Sequence, residues 1–308
     1  MTRFRLYDEV QVVIQDEMPL IQINYVTNTF ALDNNAVPIE TVFNIILFEE
    51  SKMNEILEMK DKLEMKDKLE MKDKILEYWD YRSSDYHTEY AKCMDEEIEI
   101  WKSVFSEILL TDEKIRAVEV GTGPGLLAIS LAAMGHDVTG VDLSENMLEK
   151  AAKNAKEKGV DVLLVQGDAE KIPLNDGEYD FVLSKYLLWT LPQPDKFMAE
   201  CCRLLKDGGL MMIVDGLWFQ NPDGTEKKSS RYEKFNELYS GVKPNLPLAK
   251  NNTPERITAL AQSHGFDAVS WRFLEDYDAF LERNDPSGHA SSYIQPPHMV
   301  LAKKRSHN

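Results

Sequence analysis

The chain has 308 residues, of which 43% are hydrophobic, so it can bury one large core or two modest ones. Its formal net charge of −18, from 35 basic and 53 acidic residues, argues against nucleic acid and anionic membrane surfaces as partners. It holds three cysteines and no apolar run near the roughly 18 residues of a membrane span, so we expect no disulfide framework and a cytoplasmic location.

The N-terminal part predicts two segments that differ from the rest of the chain. Residues 1–50 contain short apolar and β-branched runs, which are typical of strands, and form a strand-rich extension of unknown role. Residues 51–76 repeat the hexapeptide Met-Lys-Asp-Lys-Leu-Glu, and Glu-to-Lys pairs four residues apart favour a charged helix there. The six-residue period gives no single apolar stripe, so we interpret this helix as a solvated spacer. The alternative is an arm that packs against a partner subunit and forms a homodimer.

Residues 77–308 form the third predicted segment, in which strands alternate with helices. Strands are predicted at 118–120, 137–142, 162–165, 181–183 and 210–214, followed by a closing pair at 269–273 and 299–302. Helices are predicted at 126–134, 146–158 ended by Gly159, 195–205 ended by Gly208-Gly209, and 253–264 capped by Thr253. This alternation predicts an α/β fold with a mostly parallel sheet and helices on both faces.

The strongest motif is Glu-Val-Gly-Thr-Gly-Pro-Gly at residues 119–125, between a predicted strand and a predicted helix. Glycines let the backbone turn sharply and approach a ligand closely, and the helix N-terminus offers unpaired amide groups. A dinucleotide fingerprint needs a further glycine at the position of Leu126. The spacing therefore disfavours a nicotinamide or flavin site, although a nucleotide-dependent oxidoreductase stays as an alternative.

Two acids follow the next two strands. Asp142 ends the strand 137–142, where a carboxylate can accept both hydroxyls of a ribose. We expect Ser144 to cap the following helix, which would leave Asp142 free for a ligand. Asp168 lies in the run Gly-Asp-Ala-Glu after the third strand, where an acid can meet the exocyclic amine of an adenine.

Five motifs in this order and spacing carry a resemblance to a known family. They are EVGTGPG at 119–125, VTGVDLS at 138–144, QGDAEKIP at 166–173, YDFVLS at 179–184 and RLLKDGG at 203–209. From residue 78 to about residue 305 the chain resembles the class I S-adenosylmethionine-dependent methyltransferases. It is most similar to the small-molecule group that includes the ubiquinone and menaquinone methyltransferases.

The resemblance implies a fold, a cofactor and a set of cofactor-binding residues. The fold is a Rossmann-like sheet of seven mostly parallel strands with a closing antiparallel pair. The cofactor is S-adenosylmethionine, which leaves as S-adenosylhomocysteine, and the acceptor is a small molecule. The implied cofactor-binding residues are Tyr78 and Arg82 of a lid segment, Glu119, Gly121, Thr122, Gly123 and Gly125 of the glycine loop, Asp142, Leu143, Asp168, Ala169 and Ser184.

The catalytic residues stay open at this stage. Methyl transfer is an in-line displacement, so a general base is needed only if the acceptor must lose a proton. Candidates are Lys185, Tyr186, Trp189 and His87, and no His or Cys spacing suggests a metal site. The fourth strand lacks the Asn- or Asp-Pro-Pro run of enzymes that methylate nucleic-acid amines. A cofactor-binding regulatory module without transferase activity is the second alternative.

Overall fold

The computed structural model describes residues 2–7, 10–14, 21–24, 29–31, 68–84, 86, 93–217, 237–239, 241–249, 251–284 and 295–306. Contacts divide the chain into two compact units, Met1–Asp67 and Lys68–Asn308. The predicted three-part division at residues 50 and 76 stays a prediction. Among the residues described, no helix is long and apolar enough to cross a bilayer.

The N-terminal unit contains a four-stranded antiparallel sheet in the order β1-β2-β3-β4. Its strands are β1 (Thr2–Tyr7), β2 (Val10–Ile14), β3 (Ile21–Asn24) and β4 (Thr29–Ala31). This agrees with the strand-rich extension predicted from the β-branched runs.

The larger unit is built on a seven-stranded sheet in the order β10-β11-β9-β8-β5-β6-β7. Its strands are β5 (Arg116–Val120), β6 (Asp137–Asp142), β7 (Leu163–Gln166), β8 (Tyr179–Lys185), β9 (Leu205–Asp215), β10 (Phe266–Phe273) and β11 (His298–Lys304). Strand β11 runs antiparallel to both β9 and β10, and the other neighbours are parallel. The predicted fold class is confirmed.

The helices lie on both faces of this sheet, as predicted. They are α1 at residues 68–83, α2 (Met94–Ile108), α3 (Leu126–Ala133), α4 (Glu145–Lys158), α5 (Pro194–Leu204), α6 (Pro254–Ser263) and α7 (Glu275–Asn284). One apolar cluster joins α2, α3 and α7 to residues such as Phe181 and Met212, and a second joins α5 and α6 to Val182 and Met211. Because side chains alternate along a strand, β8 and β9 contribute to both clusters.

One boundary was predicted wrongly. Helix α5 ends at Leu204 and β9 begins at once at Leu205, so Gly208-Gly209 lie inside the strand and do not end the helix. Gly208 has a φ of +75°, and the pairing of β8 with β9 shifts register between Tyr179 and Phe181. The two glycines therefore belong to a bulge, which glycine accommodates easily.

The predicted helix caps are confirmed where the structure describes them. The Ser144 hydroxyl accepts the backbone N–H of Met147 at 3.1 Å, and Gly159 ends α4 in the left-handed conformation. The Thr253 hydroxyl accepts the backbone N–H of Arg256 at 3.3 Å, with Pro254 in the first turn. These caps satisfy backbone groups that the first and last turns leave unpaired.

Candidate functional site

The glycine motif forms the loop between β5 and α3 at the carboxyl edge of the sheet. Gly121, Gly123 and Gly125 have φ angles of +71°, +52° and +86°, which other residues rarely adopt. The N–H groups of Gly121 and Thr122 both donate to the carbonyl of Val141, at 2.8 and 2.9 Å. The loop is thereby held against the end of β6.

Conformation, and to a lesser degree space, favours glycine at residue 121. A Cβ placed there would lie 2.9 Å from a methyl carbon of Leu187. At Gly123, by contrast, the nearest heavy atom, on Tyr86, would be 4.0 Å from a Cβ. The loop therefore presents bare backbone to an open space, which is the surface that a phosphate, ribose or amino-acid group can approach.

Glu119 is buried beneath this loop, with 2% of its surface exposed. Its Oε2 accepts the Thr122 hydroxyl at 2.7 Å and the backbone N–H of Ala128 at 2.8 Å. Burial raises the pKa of this carboxyl to about 7, although both hydrogen bonds and Lys185 act to lower it. The Thr122 side chain therefore fixes the loop to Glu119.

Asp142 joins the glycine loop to the start of α4. Its Oδ2 accepts the N–H of Gly123 at 2.8 Å, and its Oδ1 accepts the N–H of Ser144 at 2.9 Å. Burial raises the pKa of Asp142 despite these backbone hydrogen bonds. The expectation that a Ser144 cap would leave this carboxylate free was too simple, because both of its oxygens already accept backbone hydrogen bonds.

A lysine from α1 reaches the acid after β7. Lys72 pairs with Asp168 and, at 2.6 Å, with Oε2 of Glu170, whose side chain is only 1% exposed. Asp168 also accepts the N–H of Glu170 at 2.9 Å. Lys72 lies in residues 71–76, a near copy of the hexapeptide within the segment that the sequence predicted as a solvated spacer. That interpretation is wrong for this residue, because it is part of the cavity wall.

Helix α1 and Tyr86, which lies beyond its end, cover the cavity with other residues than those predicted. Trp79 and Tyr86 line it, whereas Tyr78 and Arg82 are not among its lining residues. Tyr78 is buried against Tyr239, with ring centroids 5.0 Å apart, and the Arg82 guanidinium lies 5.5 Å from the centre of the Tyr86 ring. On a helix, Tyr78 and Trp79 point in directions about 100° apart, so only one of them faces the site.

The end of β8 contributes the opposite wall. Lys185 and Tyr186 line the cavity, and Tyr186 has a φ of +61°. Ser184 is 1% exposed and lies outside the lining, because alternation along β8 directs it to the other face of the sheet. Trp189 is 7% exposed and also lies outside the lining, with its ring centroid 6.2 Å from that of Trp79. His87 lies outside the described residues.

The cavity gathers most of the predicted cofactor-binding residues at one edge of the sheet. It encloses about 1010 Å³, including its open mouth. The predicted residues that line it are Glu119, Gly121, Thr122, Gly123, Asp142, Leu143, Asp168 and Ala169. Gly125 lies outside the lining and caps α3, where a Cβ would come within 3.1 Å of Ala151. In the described part of the chain, no cluster of three or more His, Cys, Asp or Glu could hold a metal.

Four residues that line the cavity, Lys72, Trp79, Tyr86 and Leu187, were not among the predicted site residues. The signal for α1 was available, because Tyr78 and Trp79 stand directly after the repeat and were already read as part of a lid. Which of the two rings faces the site depends on the rotation of the helix, and no local motif encodes it. Leu187 has no signal in the sequence, because only the folded chain places it beside Gly121.

A glycine loop after the first parallel strand, acids after the second and third, and a last strand reversed in a seven-stranded sheet define the class I methyltransferase architecture. Residues 118–213 match the family model of a methyltransferase domain. This match shows a methyltransferase domain over residues 118–213, in line with the resemblance.

Curated relatives match this domain and not the whole chain. A ubiquinone biosynthesis O-methyltransferase of Methylococcus capsulatus is 40% identical over 99 residues, which are 32% of this chain and 42% of the relative. A phosphatidylethanolamine N-methyltransferase of Cereibacter sphaeroides is 35% identical over 104 residues, 32% of this chain and 50% of the relative. The matched segment thus spans half or less of either relative.

The fold is also found among solved structures. A phosphoethanolamine N-methyltransferase 2 of Haemonchus contortus has a TM-score of 0.51 and 19% identity, over 73% of this chain and 59% of that chain. At this identity the likeness concerns the fold alone. Together the comparisons locate the domain, while the acceptors named for these proteins differ from one another.

Proposed function

We propose that the protein transfers the methyl group of S-adenosylmethionine to a small-molecule acceptor by in-line displacement. The observation that carries the proposal is the pairing of the glycine loop with Asp142, since bare backbone and a carboxylate face one cavity. Bound S-adenosylmethionine would supply an activated methyl group on a sulfonium sulfur. The chain's own contribution would be to bind, orient and shield the reacting groups.

The cavity suits the parts of this cofactor in order. Backbone at Gly121 and Gly123 would approach the ribose and amino-acid part, and Asp142 would accept the ribose hydroxyls through its remaining acceptor sites. Leu143, Asp168 and Ala169 would contact the adenine. Trp79 and Tyr86 of the covering segment would replace Tyr78 and Arg82 of the sequence prediction as cofactor contacts.

Neither alternative gains support from the site. An oxidoreductase fingerprint would need a glycine at Leu126, which is 3% exposed in the first turn of α3 and belongs to the apolar core. A regulatory module would have a blocked acceptor side, whereas Lys185, Tyr186 and Thr190 line the cavity beyond the glycine loop. The two curated relatives are named as a ubiquinone biosynthesis O-methyltransferase and a phosphatidylethanolamine N-methyltransferase. Both names refer to small-molecule or lipid acceptors.

The test is calorimetric titration of the full chain with S-adenosylmethionine, S-adenosylhomocysteine and NADH in separate runs. The proposal expects the first two to bind with one site per chain and NADH to give no heat of binding. Preferential binding of NADH would contradict it.

Two further proposals concern the setting of the enzyme. We propose that it works in the cytoplasm, supported by three free cysteines and the strongly acidic charge.

We also propose a homodimer formed through the N-terminal extension, which the strand-rich composition of residues 1–50 supports. Light scattering of the full chain would give twice the 35.3 kDa mass of one chain. A single-chain mass at micromolar concentration would contradict the dimer.

A further inference from the structure

Lys185 is a partly buried lysine at the wall of the cavity, at the end of β8. Its Nζ donates a hydrogen bond to the Tyr277 hydroxyl at 3.2 Å and lies 4.5 Å from the centre of the Tyr186 ring. Within the described residues, no carboxylate lies at ion-pair distance from this ammonium group. A partly buried lysine without a direct counter-ion is harder to keep charged than a solvated one.

The hydrogen bond continues to a buried acid. The Tyr277 hydroxyl donates to Oε1 of Glu97 at 2.8 Å, and Tyr277 and Glu97 are 2% and 0% exposed. Three elements, β8, α7 and α2, thus contribute one residue each to a chain that runs from the cavity wall into the core. The chain connects the cavity to a carboxylate that no ligand in the cavity can touch.

Charged and titratable groups face Lys185 from each neighbouring element. Burial lowers the pKa of Lys185, and the charges of Glu97 on α2 and Glu119 on β5 oppose that shift without cancelling it. Tyr277 on α7 and Tyr186 on its own loop are the remaining partners. A neutral amine is therefore accessible at Lys185 at a lower pH than for an ordinary lysine, and the two acids stabilise the ammonium when it forms.

The sheet order places Lys185 on the acceptor side. Asp142 and Asp168 follow β6 and β7, whereas Lys185 ends β8 on the other side of β5. Connections reverse direction between β5 and β8, which is the point where parallel sheets bind their ligands. If the nucleotide lies over β6 and β7, the reacting end of the ligand points toward β8.

Resting on the proposed methyl transfer, we propose that Lys185 is the general base for an acceptor with an acidic hydroxyl group, and that Tyr277 and Glu97 are its positioning residues. The neutral amine accepts the hydroxyl proton while the oxygen's electron pair forms the new bond to the methyl carbon. The bond between that carbon and sulfur breaks, and its electron pair stays on sulfur. The products are a methyl ether, a neutral thioether and an ammonium group on Lys185.

The choice of an acidic hydroxyl follows from proton affinities. A phenol loses its proton near pH 10 and an ordinary lysine at about pH 10.4, so even with the pKa of Lys185 lowered by burial, a phenol gives up its proton to this amine far more readily than an aliphatic alcohol does. An aliphatic alcohol is a far weaker acid, and a protonated amine acceptor would meet the like charge of the ammonium group. The aromatic ring of Tyr186, which lines the cavity beside Lys185, suits a planar acceptor.

The first test needs no acceptor. Trace acetic anhydride labels neutral lysines, and mass spectrometry of the digested full chain reports the labelling midpoint of each lysine against pH. We expect the midpoint of Lys185 to lie below those of exposed lysines. Glu97→Gln removes a charge that favours the ammonium, so it should lower this midpoint further. A Lys185 midpoint equal to the exposed set, or no shift in Glu97→Gln, would overturn the proposal.

The second test measures transfer from S-adenosylmethionine to catechol, whose hydroxyl groups keep their protons at neutral pH, with phenethylamine as the amine probe. We expect the methyl group on a catechol oxygen, and a loss in kcat of roughly 100-fold or more in both Lys185→Met and Lys185→Arg. Tyr277→Phe should shift the pH profile of kcat while S-adenosylmethionine affinity changes by less than about threefold. Lys153→Met, at an exposed position on α4, is the matched control.

The outcomes separate the two proposals. Full activity of Lys185→Arg would mean that a cation suffices and would overturn the base. Transfer to phenethylamine alone, or to neither probe while S-adenosylmethionine binds, would overturn the hydroxyl acceptor. Failure of the wild-type chain to bind S-adenosylmethionine would instead contradict the proposed function itself.

Discussion

Lys72 links α1 to the acids after β7, and its removal should open that wall of the cavity. Breaking a buried ion pair costs about 3–5 kcal/mol, and an exposed pair contributes about 0–1 kcal/mol. The Lys72 and Glu170 side chains are 19% and 1% exposed, and Asp168 is 32% exposed, so this network lies between those limits. We expect Lys72→Met to lower the free energy of local opening of α1 by about 2 kcal/mol.

Because each 1.4 kcal/mol is a factor of ten, amide hydrogens of residues 75–83 should exchange about 30-fold faster in this variant. Burial lowers the pKa of Lys72, but Asp168 and Glu170 outweigh it and raise the pKa above 10.5. The ammonium is thus more stable in the folded protein. Its contribution is complete below the unfolded pKa and is lost as pH rises above 10.5. The difference between wild type and variant should therefore be constant from about pH 6 to 9.

Lys74→Met is the matched control, because Lys74 belongs to the same repeat copy and is exposed. Hydrogen exchange followed by mass spectrometry measures both variants against the wild type. A change of less than about twofold in the exchange of residues 75–83 in Lys72→Met, or an equal acceleration in Lys74→Met, would contradict this role of Lys72.

Two further predictions concern the glycine loop. Gly121→Ala should destabilise the domain by about 1–3 kcal/mol, through strain at φ +71° and the 2.9 Å contact with Leu187, and Leu187→Ala should restore part of the loss in urea denaturation. If Gly121→Ala left the stability of the domain unchanged, the loop would have to move freely. Since burial raises the pKa of Glu119 from 4.5 to about 7, Glu119→Gln should gain about 3 kcal/mol over wild type as pH rises from 4.5 to 7. A pH-independent difference would contradict a buried Glu119 that binds its proton more tightly when folded.

The parts of the site that were predictable are local in sequence. Glycines at alternate positions after a strand, and acids at the tips of the next two strands, place their groups at one edge because parallel strands end together. The cap residues Ser144 and Thr253 could likewise be predicted from the sequence, because a cap satisfies backbone groups of its own helix.

The parts that were not predicted depend on contacts between distant segments. Lys72 meets Asp168 across a sequence separation of 96, and Tyr277 meets Glu97 across 180. Neither contact has a local pattern, because each is set by how α1, α2 and α7 pack. Helix α2 had a usable signal, with apolar residues at 94, 98, 101 and 105 on one face. Gly208-Gly209 misled the prediction, because a glycine pair marks a bulge as readily as a helix end.

Asp142 offers the most direct test of the central claim, that this cavity binds S-adenosylmethionine. Titration calorimetry would compare the wild type, Asp142→Ala and the control Asp137→Ala, which changes an exposed acid at the other end of the same strand. Hydrogen bonds to a charged group contribute about 1.5–3 kcal/mol, so Asp142→Ala should weaken binding by roughly 10- to 150-fold. Asp137→Ala should bind as the wild type does. Equal affinity of all three proteins, or no binding by the wild type, would contradict the account.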